Sequence, residues 1–386
     1  MPLLEGSGQS ITTPINLLDG VYGVAVSPDN THVYATAFQD DFVVIFNRSP
    51  ASGFLTYTAA ISAPAINGPQ LLTVAPDGEQ VYVASGIAGS LTVLTRNQQS
   101  GLLSVFDIFD SNDVADLQGA YGVAVTPNGR FIYVSSVIQN AVIGFERLND
   151  DSLVFRASNS DLSNADLIQT RNLAVSPDGL NLYVTAENAA NADSGNLLIY
   201  DIDPSTGAIS EVQMFFEGMV IGMPFGIVLD GLGGPFDVEV SPDGANVYVA
   251  CTHDDTLLVF RRNPDTGLLT YRRRMKNGED GVDGLDGATG VTVTPDGRYV
   301  IATAFDDDAV TVFGRDPDDG FLNQLQTISR GPLPFFNPRL DGARDLAVSP
   351  DGHNVYVGAF LDDAVVAFQG DRMFNDGFES GATATQ

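Results

Sequence analysis

Two arginines and two carboxylates, Arg171, Asp237, Arg344 and Asp345, interrupt a sequence pattern that otherwise pairs a bulky residue with a small one. Such a set is enough for proton transfer, oxyanion stabilisation or the binding of a polar ligand. The four stand six or five positions before a recurrent proline. The full series at those positions is Tyr22-Gly23, Gln70-Leu71, Tyr121-Gly122, Arg171-Asn172, Phe236-Asp237, Thr289-Gly290 and Arg344-Asp345. Glu239 is a further departure, because the other copies carry Ala or Thr at its position. A carboxylate there is expected to be buried and to need a partner, an arginine being the simplest. The set reads either as a ligand site or as ion pairs that hold an opening together.

The element that positions these residues is repeated along the chain. VSPDGANVYVA, Val240 to Ala250, is a strand, a tight turn and a second strand. Proline presets φ, aspartate bonds its own backbone, and glycine takes the positive-φ position. The prolines of the copies are Pro28, Pro76, Pro127, Pro177, Pro242, Pro295 and Pro350, spaced 48, 51, 50, 65, 53 and 55 residues apart. After each hairpin come an Asp/Asn-rich turn, a third strand such as Thr256 to Arg262, a second turn such as Asn263 to Gly267, and a fourth strand. Seven units of four antiparallel strands predict an all-β, seven-bladed β-propeller. The chain holds no tryptophan, which argues against WD-type repeats. The propeller is expected over residues 1–370, with repeats starting near 20, 68, 119, 169, 234, 287 and 342 and a tail at 371–386. The polar departures then ring the central opening, where each first strand begins.

Composition excludes several classes. The formal charge is −31 with only 18 Lys and Arg, so nucleic acid and anionic membrane surfaces are unsuited as partners. No stretch approaches the ~20 apolar residues of a membrane span. Cys251 is the only cysteine and no intrachain disulfide can form. No export signal is read at the N-terminus, yet the acidic surface and a C-terminal DRMFNDGFESG suggest a secreted, periplasmic or cell-surface bacterial protein.

Other segments carry expectations of their own. The last repeat lacks a fourth strand, so Ser10 to Leu18 is expected to complete it and close the ring, in the same chain or in a neighbouring copy. The apolar connection Met214 to Gly234 reads as a loop packed over its own blade or as a surface for homo-association. Pro332 to Phe336 is a smaller apolar loop. The fifth repeat concentrates Arg261, Arg262, Arg272, Arg273, Arg274 and Lys276, which would guard an edge or attract an acidic partner. Oxygen-rich turns bring Asp280, Asp283, Asp286, Asp306 and Asp307 to one face, a possible calcium site; ordinary turn chemistry is the alternative. His32 and His353 are expected in solvent and His253 in a turn beside Asp254 and Asp255.

The run PDG-x-x-VYVA followed by D-x-L-x-VFRRNPDTGLLTY resembles the lactonase-type seven-bladed propellers and the related YVTN-repeat propellers of bacterial surface proteins. That resemblance implies a catalytic arginine at Arg171 and a glutamate at Glu187, with Arg344 as a second donor. It also implies a histidine that this chain lacks, since Asn172 stands in its place. Tyr22, Tyr121, Asn172, Asp237, Glu239 and Asp345 would surround a ligand. The leading expectation is a binding or interaction propeller for an unknown protein or small molecule. The alternatives are a lactone hydrolase and a structural protein that polymerises by strand donation.

Overall fold

The computed structural model describes residues 4–11, 17–160, 167–187, 194–222, 226–330 and 339–370. Pro332 to Phe336, the tail from 371 and most of the loop after Glu187 lie outside them. Seven four-stranded antiparallel sheets are arranged as blades, and the only further strands described form one short ribbon. The innermost strands begin at Val21, Pro69, Ala120, Thr170, Pro235, Ala288 and Ala343, as the repeat predicts.

The second strand of each blade is buried along nearly its whole length, as in His32–Ala37 and Asn246–Cys251. Its side chains meet the neighbouring blades on both faces, which is why the sequence there is a continuous run of Val, Tyr and Ala rather than an alternation. Hydrophobic clusters accordingly form between blades. Tyr82, Leu91 and Val93 of blade two pack with Ile132, Val134 and Ile143 of blade three. Tyr356 and Val365 of blade seven pack with Val33, Val44 and Phe46 of blade one.

The ring closes with an N-terminal strand, but an earlier one than the sequence suggests. Leu4–Ile11 pairs antiparallel with Ala364–Gly370, in the register Leu4 with Gly370 and Ile11 with Val365. Of the expected Ser10 to Leu18, only Ser10 and Ile11 belong to that strand. Leu17 and Leu18 instead pack into the core between blades one and seven, which fixes them to the approach of blade one.

One face carries the Pro-Asp-Gly hairpins and is laced by arginines. The arginine ending the third strand of one blade reaches the tyrosine and aspartate of the blade before it. Arg96 Nε donates to Tyr34 Oη at 2.7 Å, and its Nη2 lies 2.7 Å from Asp29. Arg262 repeats this with Tyr183 and Asp178, Arg315 with Tyr248 and Asp243, and Arg48 carries it across the closure to Tyr356 and Asp351. The four arginine side chains are almost wholly buried. His32, expected in solvent, is 3 % exposed. Its ring lies against Gly101 of the next blade, where a Cβ would come 2.2 Å from the ring.

The opposite face carries the turns between second and third strands. Their carboxylates bind backbone amides: Asp40 accepts from Asp19 N at 2.9 Å, while Asp41, at φ +61°, accepts from Gly68 N of the next blade at 2.8 Å. Blades five, six and seven use the pairs Asp254/Asp255, Asp307/Asp308 and Asp362/Asp363 in the same way. Turn geometry and blade linkage thus account for the acidic run.

Candidate active site

The site sits where first strands begin and second strands end, around the central opening of this face. The first strands supply Tyr22, Tyr121, Arg171, Phe236 and Arg344. Phe38, Phe305 and Phe360 follow directly on the second strands of blades one, six and seven, and Glu187 ends that of blade four. The first strands crowd closely here, since a Cβ on Gly23 would come 2.8 Å from the Gln70 carbonyl oxygen, and one on Gly290 2.8 Å from that of Arg344. That approach is the reason for the bulky-plus-small pairing in the sequence.

Arg171 and Glu187 meet, as the resemblance implies, with Arg171 Nε donating to Glu187 Oε2 at 2.8 Å. The other carboxylate oxygen, Oε1, lies 3.6 Å from His253 Nε2. Arg171 also lies over the rings of Tyr121 and Phe236, 5.4 and 5.3 Å from their centroids. Arg344 is 3.7 Å from the Tyr22 centroid and 5.0 Å from that of Phe236, with Phe305 and Phe360 within 5.9 Å. It donates to Tyr22 Oη, which in turn donates to Tyr121 Oη at 3.0 Å. Among the described residues no carboxylate forms an ion pair with Arg344, and its buried Nε has no hydrogen-bond partner. Both arginines therefore face one aromatic mouth, one neutralised by Glu187 and one not. Cation–π contact with several rings holds such a charge without a counter-ion.

Beneath this layer the opening narrows to a cavity of about 10 Å³, lined by Tyr22, Tyr121, Phe236 and Arg344. That is room for about one water. Asn172, Asp237 and Asp345 line the same cavity and also bind neighbouring blades. Asp237 accepts from Asn172 Nδ2 at 2.5 Å and, on its other oxygen, from Val291 N of blade six at 2.8 Å. Asp345 accepts from Val24 N of blade one at 2.8 Å. The two carboxylates thus form no ion pairs with Arg171 or Arg344. Below them a channel of about 400 Å³ leads to the hairpin face and is lined by Glu239. The expected arginine is not beside Glu239; Asp237 and Asp345 are its charged neighbours. Burial and those like charges push Glu239 up to about 8, and burial raises Asp237 to about 6 and Asp345 to about 7.

The acidic residues considered for calcium are dispersed in role. Asp307 accepts from Asp286 N at 2.9 Å, and Asp283 N donates to Gln324. Asp306 packs against Gly287, and Asp280 takes a positive φ of 52° in its turn. No group of three or more His, Cys, Asp or Glu among the described residues converges as a metal-binding set. No described helix is long and apolar enough to cross a membrane.

Phe38, Phe305 and Phe360 belong to the mouth although the sequence pattern did not single them out, and His253, expected only as a turn residue beside Asp254 and Asp255, joins them. Their signal was positional. Phe38, Phe305 and Phe360 share the repeat position of Glu187, and His253 lies one residue further along in blade five.

Among solved structures, the chain is similar to a putative 6-phosphogluconolactonase from Bacteroides uniformis, at 19% identity over 83% of this chain and 88% of that one, with a TM-score of 0.64. A periplasmic gluconolactonase from Pseudomonas aeruginosa is similar at 19% identity over 80% and 85%, with a TM-score of 0.63. Kuenenia stuttgartiensis hydrazine synthase is similar at 17% identity over 94% and 99%, with a TM-score of 0.68. At such identities these likenesses speak for the fold alone. The sequence itself matches the family described as lactonase, 7-bladed beta-propeller, over residues 19–222 and 229–336, which span most of blades one to six. The chain therefore belongs to the seven-bladed lactonase β-propeller family.

Proposed function

We propose that the protein hydrolyses a lactone at the aromatic mouth. Family membership favours this alternative over the binding protein that headed the sequence reading. The observation that carries it is Glu187, held on one oxygen by Arg171 and approached on the other by His253, beside the uncompensated guanidinium of Arg344.

In this reading the lactone ring lies against the Tyr22, Phe236 and Phe360 rings, above the narrow layer that closes the channel. Glu187 takes a proton from a water molecule as its oxygen bonds to the lactone carbonyl carbon. Arg344 stabilises the oxyanion that forms, and Arg171 orients Glu187. Collapse of the tetrahedral species breaks the ring C–O bond. The leaving alkoxide recovers the proton from Glu187, which releases a hydroxy acid and restores the carboxylate. One unmatched cation suits a neutral or singly charged lactone better than a phosphorylated one.

The test is pH-stat hydrolysis of unphosphorylated and phosphorylated lactones by the parent, Arg171→Ala and Glu187→Gln. Turnover of unphosphorylated lactones is expected in the parent, with at least a ~10²-fold loss in each variant and unchanged thermal unfolding. No turnover, or turnover indifferent to both changes, removes the proposal and returns the mouth to a binding role.

A further inference from the structure

Outside the mouth, the cations left without a carboxylate within 4.0 Å among the described residues are Arg261, Arg272, Arg273 and Lys276. All four lie on the two outer strands of blade five, Thr256–Arg262 and Leu269–Lys276. Like charges on neighbouring strands repel. Yet Arg272 and Arg273 are held together, both over the half-exposed ring of Phe321 at 5.7 and 5.5 Å. In a chain of net charge −31, a fixed stripe of unmatched positive charge on an exposed edge is suited to a partner bearing carboxylates.

The same molecule carries a complementary surface. A cleft of about 900 Å³ opens on the hairpin face between blades two and three. Asp77, Glu79, Glu146, Asp150 and Asp151 line it with Arg130 and Arg147; Arg130 is paired with Glu146, while Arg147 is ion-paired with Asp77, Glu79 and Asp151 together. One guanidinium thus serves three carboxylates, and Asp150 adds a fourth. We propose that the blade-five stripe of one copy docks in this cleft of a second copy. The contact is head-to-tail, using different surfaces on the two partners, so repeated docking builds chains or closed rings rather than an isologous dimer.

Charge gives this contact a distinctive salt dependence. At very low ionic strength two copies of charge −31 repel over long distances. At about 0.15 M salt, where the screening length is about 8 Å, that repulsion is damped and the local stripe-to-cleft attraction remains. Near 1 M the contact itself weakens. Association is therefore expected to be greatest at intermediate salt.

The experiment is sedimentation velocity of the full chain from 1 to 200 μM at about 0.01, 0.15 and 1 M NaCl. It is run with the parent, with Arg272→Glu/Arg273→Glu, and with Glu79→Arg/Asp150→Arg, each first checked for parental thermal unfolding. The parent is expected to form species larger than a monomer, most at 0.15 M. Each double variant alone is expected to remain monomeric, whereas an equimolar mixture regains association, because the arginine stripe of one meets the acidic cleft of the other and the reversed stripe meets the reversed cleft. A parent that stays monomeric throughout overturns the proposal and leaves the stripe as a guard against edge pairing. Association that survives both double variants also overturns it. So does a parent that remains monomeric but is retained on a heparin column through Arg272 and Arg273, which would assign the stripe to a polyanion instead.

Discussion

Arginine is used in opposite ways on the two faces of the propeller. On the hairpin face, Arg48, Arg96, Arg262 and Arg315 are buried, and each is matched by an aspartate and a tyrosine of the preceding blade. At the mouth, Arg344 rests on aromatic rings without a carboxylate, and Arg171 shares its carboxylate with a histidine. The first arrangement satisfies every group within the fold and so is saturated. The second leaves charge and hydrogen-bonding capacity directed at a surface opening. A residue type therefore says little about role until its partners are known.

The sharpest way to break this contrast is to remove one arginine from each face. If the proposed chemistry holds, Arg344→Met lowers kcat by roughly 10²- to 10³-fold, the usual cost of losing an oxyanion donor, while leaving the unfolding midpoint close to that of the parent. Arg96→Met does the reverse. It takes one hydrogen-bond partner each from Tyr34, Asp29 and the Gly78 carbonyl and removes the counter-charge of Asp29, costing about 3 kcal/mol of stability in urea unfolding, while kcat is retained in whatever fraction stays folded. Equal effects of both substitutions on stability would dissolve the distinction.

Acidity separates the faces more gently. Asp237, Glu239 and Asp345 have folded values of about 6, 8 and 7, above their ordinary range, so the folded state binds their protons more tightly. Stability from the channel is accordingly gained as pH falls from about 8 towards 4. Asp29 and Asp351 behave oppositely. Despite partial burial, hydrogen bonds from Ser27 and Thr31 to Asp29, and from Ser349 and Asn30 to Asp351, together with Arg96 and Arg48, hold them well below the usual range. Their contribution is complete above about pH 4 and is lost as pH falls below it. Urea midpoints are expected to rise from pH 8.5 to about 5 and to drop below about 3.5. Glu239→Gln should flatten the upper limb alone, separating the channel from the general relief of negative charge. A parental upper limb in that variant would remove the channel from the account.

The smallest effect tests the lacing itself. Blade four ends its third strand in Ile202 instead of arginine, and the matching hairpin of blade three carries Asn128 instead of aspartate, so both charges are missing together. Asn128→Asp is therefore expected to change stability by less than about 0.5 kcal/mol, whereas Asp243→Asn, which weakens the bond to Arg315, costs about 1 kcal/mol or more. Similar costs at both sites would show that the hairpin aspartates act through their own turns and not through the next blade.

What the sequence determined alone was everything carried by local chemistry and repetition. Seven Pro-containing turns, continuous apolar second strands and Asp-rich turns specify hairpins and their number, and from these the propeller and the positions around its opening follow. Arg171 and Arg344 were legible because they break that repeat, and Glu187 through the resemblance to lactonase-type propellers. The partners were not, because they come from different blades and meet only when the ring closes. His253 approaches Glu187 from blade five, Tyr22 and Phe305 reach Arg344 from blades one and six, and Asp237 spends its oxygens on Asn172 and on the backbone of blade six. Leu4–Ile11 shows the same limit, since glycine- and serine-rich chain shows little strand pattern until the open edge of blade seven supplies its hydrogen bonds. Tertiary closure decided which polar residues face solvent and which bind blades, because it alone determines whose hydrogen bonds are already satisfied.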